Sequence, residues 1–330
     1  MLARLSFRVV QLALFLAASA LTSGAALAGN VPGSAAAAVP ELTEIATGLT
    51  IRSIKQDVRD MRDGGAGLSI STSGKMDVSL SGGGGLPVAL NFSFRDIESD
   101  RIDGGLSATS ILFGHAAQPG LLLFGGLIAE GADVDTPHNT GTVKTRGLGL
   151  AVGADYRVSD RLVLTGILGA MSLDYDVSRS GGAITGSFDA DRRFIDLSGD
   201  YMTRAGNADL LLGFGLLYVD QDNDGYTESG GAPVAAYSHS RLSGNLELRG
   251  IWGAGGDYRP YAEVSSRFVL SESGGLPAVL ELPDDDWSAR LGLGLLRDTT
   301  ASGFDTGLGA NFGEGGFEGL DAKLSYTLRF

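Results

Sequence analysis

Hydrophobic and polar residues alternate along most of the chain from about residue 86 onward. The segments 148–158, 287–296 and 319–330 each place apolar residues at every second position, with polar residues or glycines between them. A period of two puts the two kinds of residue on opposite faces of a β-strand. Ordinary soluble strands have ~5–6 residues, whereas a tilted membrane-spanning strand needs ~9–11. The lengths of these segments therefore favour membrane-spanning strands.

The same pattern predicts twelve strands joined by two kinds of connection. Short Gly, Pro, Asn and Asp turns alternate with longer acidic segments, as in an outer-membrane barrel, and this spacing argues against a soluble β-sandwich. We therefore predict an all-β fold, a transmembrane antiparallel β-barrel of about twelve strands. The predicted strands are 86–96, 105–115, 121–132, 145–158, 161–177, 186–204, 208–219, 237–252, 257–271, 285–298, 303–312 and 318–330.

The N-terminus has the features of a secretory signal peptide over residues 1–28. Arg4 and Arg8 precede a short apolar core, and Ala26-Leu27-Ala28 fits a small-x-small cleavage site. No later stretch is apolar enough for a helical span. The chain has no cysteine and a formal net charge of −14, which argues against a nucleic-acid partner. We expect export to the cell outer membrane.

Residues 29–85 are predicted to precede the barrel, which would occupy residues 86–330. Residues 41–63 carry apolar positions at helical spacing, and a helix of this length would span ~35 Å. This segment could thread the barrel lumen, form a helix in the periplasm or be a flexible linker. A Gly-rich linker follows, with a possible hairpin of 68–72 against 76–80 that would raise the strand count to fourteen. Several inward glycines would leave room for the helix: Gly149, Gly153, Gly292, Gly294, Gly307 and Gly309.

The end of the chain resembles the C-terminal assembly signal of outer-membrane barrels. Leu324, Tyr326, Leu328 and Phe330 fall at alternate positions up to the last residue. The stretch 147–176 and the paired strands after it resemble the translocator β-domain of autotransporters. This resemblance implies a twelve-stranded barrel with a helix in the pore. It also implies a monomer whose partners are outer-membrane lipid, the barrel assembly machinery and periplasmic chaperones.

Two features depart from that family: the short segment before the barrel, and the Gly-rich stretch 64–85 between the helix and the first predicted strand. A hairpin there that joined the barrel would weaken the match. Only residues 29–85 stand where autotransporters carry a long passenger, and nothing in them repeats as a β-helix would. Some autotransporters also cut themselves at an Asn-Asn pair in the pore. This chain has no Asn-Asn dipeptide, and we expect no such cleavage.

Candidate chemistry is sparse. Ser238-His239-Ser240 pairs a nucleophile with a base, but adjacent strand residues point to opposite faces. Residues 220–228 resemble the start of a twelve-residue EF-hand calcium loop through Asp220, Asp222, Asp224 and Glu228. Such a loop needs a bidentate Glu at its twelfth position, and here that position is Gly231. We expect no enzyme activity, cofactor or resident metal, and leave weak calcium binding by that loop open.

Three functions remain open from the sequence. The first is an autotransporter-type barrel with no or minimal passenger, and the second is an outer-membrane pore. The third is a surface adhesin acting through the acidic segments 133–144, 220–236 and 272–284. Inward charges would line the pore, pair with the helix or pair with one another: Glu247, Arg249, Arg259, Glu263, Arg267 and Arg290.

Overall fold

The computed structural model describes residues 30–62, 67–73, 75–82, 87–98, 101–253, 258–276, 286–299, 302–313 and 316–329. The predicted signal peptide lies outside these residues. One long helix, α1 (Val39–Arg62), comes first. The strands are β1 Gly67–Ser73, β2 Lys75–Gly82, β3 Val88–Glu98, β4 Asp103–Gln118, β5 Leu121–Thr136, β6 Gly141–Ser159, β7 Leu162–Arg179, β8 Ile184–Ala205, β9 Ala208–Asn223, β10 Tyr226–Thr227, β11 Pro233–Val234, β12 Tyr237–Trp252, β13 Tyr258–Gly274, β14 Trp287–Asp298, β15 Ser302–Gly313 and β16 Gly316–Arg329.

Within the described residues, fourteen of these strands form one closed antiparallel barrel, and β10 pairs with β11 in a separate small ribbon. The barrel closes where β1 pairs with β16, with Leu68 opposite Leu328. The predicted barrel is confirmed, and its two additional strands are the hairpin over residues 67–82. The barrel therefore begins at Gly67 rather than at residue 86, inside the segment predicted to be a linker.

The alternation of the sequence corresponds to the two faces of the barrel wall. Leu148, Leu150 and Val152 of β6 are exposed on the outer face, whereas Ala151 between them is buried. The same division recurs around the wall, with outward Leu197 of β8 beside inward Asp196. An apolar outer face and a polar inner face are the division that a lipid-embedded barrel requires.

The two ends of the barrel differ in their connections. At one end, here called the turn end, β4–β5, β6–β7 and β8–β9 are joined by two residues each: 119–120, 160–161 and 206–207. The opposite end, the loop end, carries the connections 224–236 and 275–286. Several segments predicted as loops are strand instead, because ladder hydrogen bonds continue in polar sequence above the apolar band. Thus β9 extends to Asn223 and β8 has 22 residues.

Helix α1 lies inside the barrel and runs from the loop end to the turn end. Its first turns meet Arg101, in the connection between β3 and β4, through Glu41. Its last residue, Arg62, meets Asp155 close to the β6–β7 turn. No helix in the described part of the chain combines the length and apolar character that a membrane crossing needs. The polarity of α1 suits the lumen, where nearly every face of the helix meets the wall.

Candidate functional site: the occupied lumen

One side of α1 packs closely against β3 and β4 through small side chains. Ser53 Oγ donates to Asn91 Oδ1 at 2.5 Å and lies 3.0 Å from Ser110 Oγ. Ser110 in turn donates to Asp57 Oδ2 at 2.6 Å. All four residues are buried, as is Ala108 beside Ser110. Short side chains on this wall allow the helix to approach it directly. We call β3 and β4 the close wall.

The turn-end half of α1 is basic and faces acidic residues of β6 and β8. Lys55 Nζ lies 2.7 Å from Asp196 Oδ1, and the Arg59 guanidinium lies 3.1 Å from Asp200 Oδ2. Arg62 lies 3.1 Å from Asp155, which also accepts a hydrogen bond from the Thr165 hydroxyl. Three cations of the helix therefore meet three carboxylates of the wall.

The loop-end half of α1 shows the opposite arrangement. Glu44 lies 2.7 Å from Arg241 of β12 and 2.7 Å from Arg267 of β13. Ser243 donates to the same carboxylate at 3.1 Å. Acidic side chains near a helix N-terminus and basic ones near its C-terminus also complement the helix dipole. We call β6, β8, β12 and β13 the charged wall.

A buried network ties the middle of the helix to the barrel. The Arg192 side chain of β8 is completely buried and forms an ion pair with Glu130 of β5. The same guanidinium donates to Gln221 at 2.8 Å and to Thr47 of α1 at 3.1 Å. Thr50 donates to Glu130 at 3.0 Å. A buried ion pair is tolerated only when further hydrogen bonds satisfy both partners, and here the helix supplies two of them.

Most of the other predicted inward charges are neutralised within the wall. Arg249 reaches Asp305 at 3.0 Å and Glu263 at 3.6 Å, and Glu263 also pairs with Arg290. Arg259 lies 3.7 Å from Asp209. Of the six predicted residues, Arg267 is the one that the structure pairs with the helix through a described ion pair. Glu247 faces the lumen and is exposed to solvent there.

The predicted role of the inward glycines is wrong in detail. A Cβ at Gly149 would meet Met171 at 2.5 Å, and one at Gly153 would meet the Phe124 ring at 2.4 Å. Gly294 and Gly307 lie against the Tyr261 ring, and Gly292 against Glu263. These glycines accommodate large lumenal side chains of neighbouring strands rather than the helix. Among the residues described, Gly114 does contact α1, since its Cβ would lie 3.0 Å from Met61 Sδ.

Residues 30–38, here called the cap, fold into the mouth of the barrel at its loop end. Ser34–Ala36 form a buried 3-10 turn, and Asn139 donates to the Ser34 carbonyl at 2.8 Å. The backbone N–H of Gly33 donates to Glu228 at 3.0 Å. Glu228 is clamped in turn by Arg179, whose guanidinium lies 2.7 Å from it. The cap is therefore held by two connections of the loop end and by Arg179 at the end of β7, whose guanidinium also donates to Asn30 at 3.0 Å.

Glu228 has its expected place near the mouth but not the expected environment. Its pKa is lowered because Arg179 donates hydrogen bonds to the carboxylate, although burial opposes this shift. Asp220 and Asp222 lie on β9, and Asp222 is exposed on its outer side. The carboxylates of the calcium-like stretch thus point in different directions. Among described residues, no group of three or more His, Asp or Glu side chains could hold a metal ion.

The other residues singled out from the sequence are dispersed. His239 is buried and faces the lumen, whereas Ser240 at the neighbouring position lies 2.8 Å from Ser273 in a different, exposed pair. Leu324 and Tyr326 are exposed on the outside of β16, and Leu328 pairs with Leu68 at the barrel seam. Phe330 lies outside the described residues.

Aromatic residues near the strand ends divide between the two faces. Tyr156, Tyr218, Trp252 and Tyr258 are exposed on the outside, as interfacial girdles require. Tyr237, at the loop-end start of β12, packs instead against the lumenal core beside His239. The alternation of β12 accounts for this position, because Tyr237 lies on the same face of the strand as Glu247 and Arg249 and the ladder with β9 is unbroken between them.

The comparisons with known proteins agree with this architecture. The family model of the autotransporter β-domain matches residues 98–311. The fold is similar to the translocator domain of the autotransporter NalP from Neisseria meningitidis, with TM-score 0.60 and 15% identity over 90% of this chain and 100% of that one. It is also similar to the β-domain of the Bordetella autotransporter BrkA, with TM-score 0.53 and 18% identity over 80% of this chain and 100% of that one.

A search of curated proteins finds no match to the sequence. The two structural similarities have low sequence identity and speak for the fold. The family model covers well over half of the chain and is independent of them. Together with a closed barrel, an apolar outer face and a helix in the lumen, it settles the classification. The chain belongs to the autotransporter β-domain family.

Proposed function

We propose that this protein is a non-catalytic outer-membrane translocator whose barrel is held closed by α1. The observation that carries the proposal is the seating of the helix, which contacts the close wall, the charged wall and the buried Arg192 network. Such contacts on several sides leave a solute no wide path beside the helix. The turn end would face the periplasm and the loop end the exterior, as in other outer-membrane barrels.

We further propose that the passenger is absent or minimal. The N-terminus of α1 lies at the loop end, and a passenger, which would precede the helix in sequence, would emerge there. Residues 30–38 instead fold into the mouth and are held by Glu228 and Asn139. The cap would then be the presented element, exposing little of itself to the outside. Protease sensitivity of a tag inserted before Asn30, on intact cells, would test this orientation, and protection of the tag would contradict it.

The absence of catalysis rests on the placement of the candidate groups. Ser238 and Ser240 flank His239 on a strand, so their side chains project away from its ring. His239 is also buried below the mouth, where a substrate would have to displace the wall. Assays of the refolded protein with general ester and peptide substrates should give no activity that is lost in His239→Ala.

A reversible crosslink tests whether α1 is the plug. The hydroxyl oxygens of Ser53 and Ser110 are 3.0 Å apart, and the chain has no cysteine of its own. In S53C/S110C, an oxidised disulfide should abolish large voltage-induced openings in planar bilayers, and reduction should restore them. Single-cysteine variants serve as controls. Large openings with the disulfide intact would show that the helix does not close the pore and would favour a permanently open pore.

A truncation gives a second test, and the structure defines its boundaries. Removing residues 29–85 would delete β1 and β2 and leave an open sheet, so the deletion should cover residues 30–62 only. The truncated chain should keep the heat-shifted gel migration of a folded barrel and conduct ions continuously. A folded but non-conducting truncation would contradict the proposed plug.

We also propose that the last strand is read by the barrel insertion machinery, with outer-membrane lipid and periplasmic chaperones as the other partners of a monomer. The outward positions of Leu324 and Tyr326 on the strand that closes the barrel support this assignment. Phe330→Ser should slow assembly in cells, whereas Leu308→Ser, outward on β15, should leave the rate nearly unchanged. Equal rates in the two variants would contradict it.

A further inference from the structure

Helix α1 is charge-sorted along its length. Glu41 and Glu44 give residues 39–50 a net charge of −2, whereas four basic and two acidic residues give residues 51–62 a net charge of +2. The lumen is sorted in the opposite sense. Its carboxylates Asp155, Asp196 and Asp200 face the basic half, and Arg241 and Arg267 face the acidic half.

When α1 leaves, the wall charges of each half are no longer neutralised by the helix. The turn half becomes more negative by two charges and the loop half more positive by two. The remaining lumenal charges do not cancel this change, because they are largely neutralised within the wall. The pairs that stay are Arg192–Glu130, Arg179–Glu228, Arg249–Asp305, Arg290–Glu263 and Arg259–Asp209. At the turn-end rim, Arg204 also shares Asp209, and Glu247 adds a further carboxylate.

We infer that the vacated barrel is a rectifying ion channel with an acidic turn end and a basic mouth. This inference rests on the proposed function, in which α1 is the removable plug. Rings of charged side chains select ions of opposite sign. When the turn-end compartment is positive, cations enter through the acidic zone and anions through the basic mouth, so both carriers accumulate in the pore. At the opposite polarity, each ion meets the zone of its own sign first, and the pore is depleted of carriers.

The rectification should depend steeply on salt concentration. The Debye length is about 10 Å at 0.1 M and about 3 Å at 1 M. Fixed charges therefore act across much of the lumen in dilute salt and only close to the wall in concentrated salt. We expect currents at about ±100 mV to differ by roughly twofold or more in about 0.1 M KCl and to become nearly equal at about 1 M.

The experiment uses the full chain in planar bilayers. Glu44→Lys places a cation beside Arg241 and Arg267 and should increase the frequency of open events, and heat-shifted gel migration establishes that the variant is folded. Reduced S53C/S110C, opened by voltage, supplies open events with an unaltered Glu44. Current–voltage curves of single open events are then recorded at both salt concentrations.

Two wall variants decide the outcome. D155N/D196N/D200N removes the acidic zone, and R241Q/R267Q removes the basic zone; each should bring the current ratio in dilute salt close to one. A linear current–voltage curve of the unaltered wall in dilute salt would overturn the inference while leaving the plug intact. Rectification that survives both wall variants would also overturn it. If neither variant opens, α1 has stayed in the lumen, and the folded truncation without residues 30–62 then supplies the open pore for the same measurements. If that truncation does not conduct, the proposed plug fails and this inference fails with it.

Discussion

The two walls of the lumen hold the same helix by different physical means. On the close wall, Ser53, Ser110 and Asp57 are buried and within hydrogen-bond distance of one another or of the strands. On the charged wall, long side chains bridge a wider gap, and the Arg59 side chain is 48% exposed inside the barrel. Shape complementarity fixes the depth of the helix, whereas charge order fixes its direction. The two walls should respond differently to substitution.

The largest loss of stability is expected at Arg192, whose charge is fully buried. Its substitution tests whether burial, rather than charge alone, makes the contacts of the charged wall strong. Arg192→Met leaves the carboxylate of Glu130 buried with Thr50 as its remaining described donor. Breaking a buried ion pair in this way typically costs about 3–5 kcal/mol. Urea unfolding in lipid vesicles, followed by the fluorescence of Trp252 and Trp287, measures the loss.

The double variant R192M/E130M is the matched control for that prediction. It removes both charges, and apolar replacements of buried ion pairs are often nearly neutral. It should therefore recover most of the stability lost in either single variant. Equal destabilisation in the single and double variants would assign the effect to packing and not to the stranded carboxylate.

The second largest effect is expected on the close wall. Ser110→Leu inserts bulk between β4 and α1 and removes the donor to Asp57, and overpacking a dense interior typically costs about 1–3 kcal/mol. The helix should seat poorly, so open events in planar bilayers should become frequent. Ile111→Leu, at the neighbouring outward position, is the control and should behave as the unaltered protein. If S110L stays closed, the close wall is not what sets the depth of the helix.

The third prediction concerns the cap and acidic pH. The pKa of His138 is lowered because the ring is buried, although hydrogen bonds to backbone carbonyls oppose the shift. The pKa of Glu228 is also lowered, chiefly through Arg179. Both shifts mean that His138 and Glu228 bind protons more readily when the cap has come away from them. The cap is therefore most stable above the ordinary pKa of 6.5 for His138 and loosens as pH falls below it. Loosening continues below 4.5, the ordinary value for Glu228.

Hydrogen exchange of residues 30–38 against pH measures this loosening. Exchange should accelerate in two steps as the pH falls. His138→Gln should remove the upper step, and Glu228→Gln should remove the lower one while leaving the cap partly loosened at neutral pH. Exchange that is independent of pH in the unaltered protein would refute a role for either group.

The wall of the barrel could be predicted from sequence far better than its contents. Alternation in segments such as 148–158 assigns faces directly, because each residue of a strand has a fixed side. The hairpin at residues 67–82 was visible only as an open possibility, since its strands are short and lie in a Gly-rich stretch. Its place in the barrel depends on β16, whose paired residues lie 250 to 262 positions further along the chain.

The partners of the lumenal residues could not be predicted, because they depend on how the wall curves. The acidic stretch 220–228 shows this limit. Its spacing resembles a calcium loop, but Asp222 remains on a strand and Glu228 turns into the mouth to meet Arg179. No periodicity in the sequence indicates that Arg179, on a different strand, completes this contact. Likewise, Gly294 and Gly307 predicted free space, and the Tyr261 ring occupies it.

The smallest effect is expected for the most exposed contact of the charged wall. Arg59→Ala removes an ion pair whose side chains are 48% and 29% exposed, and such pairs typically contribute about 0–1 kcal/mol. Lys55→Ala is its matched partner, because Lys55 lies one helical turn away and pairs with Asp196, which is only 3% exposed. Unfolding measurements should show a larger loss for K55A, and added salt should diminish the effect of R59A more strongly. Equal losses at every salt concentration would mean that solvent inside the barrel does not screen the charged wall. The distinction between a wall that sets depth and a wall that sets direction would then fail.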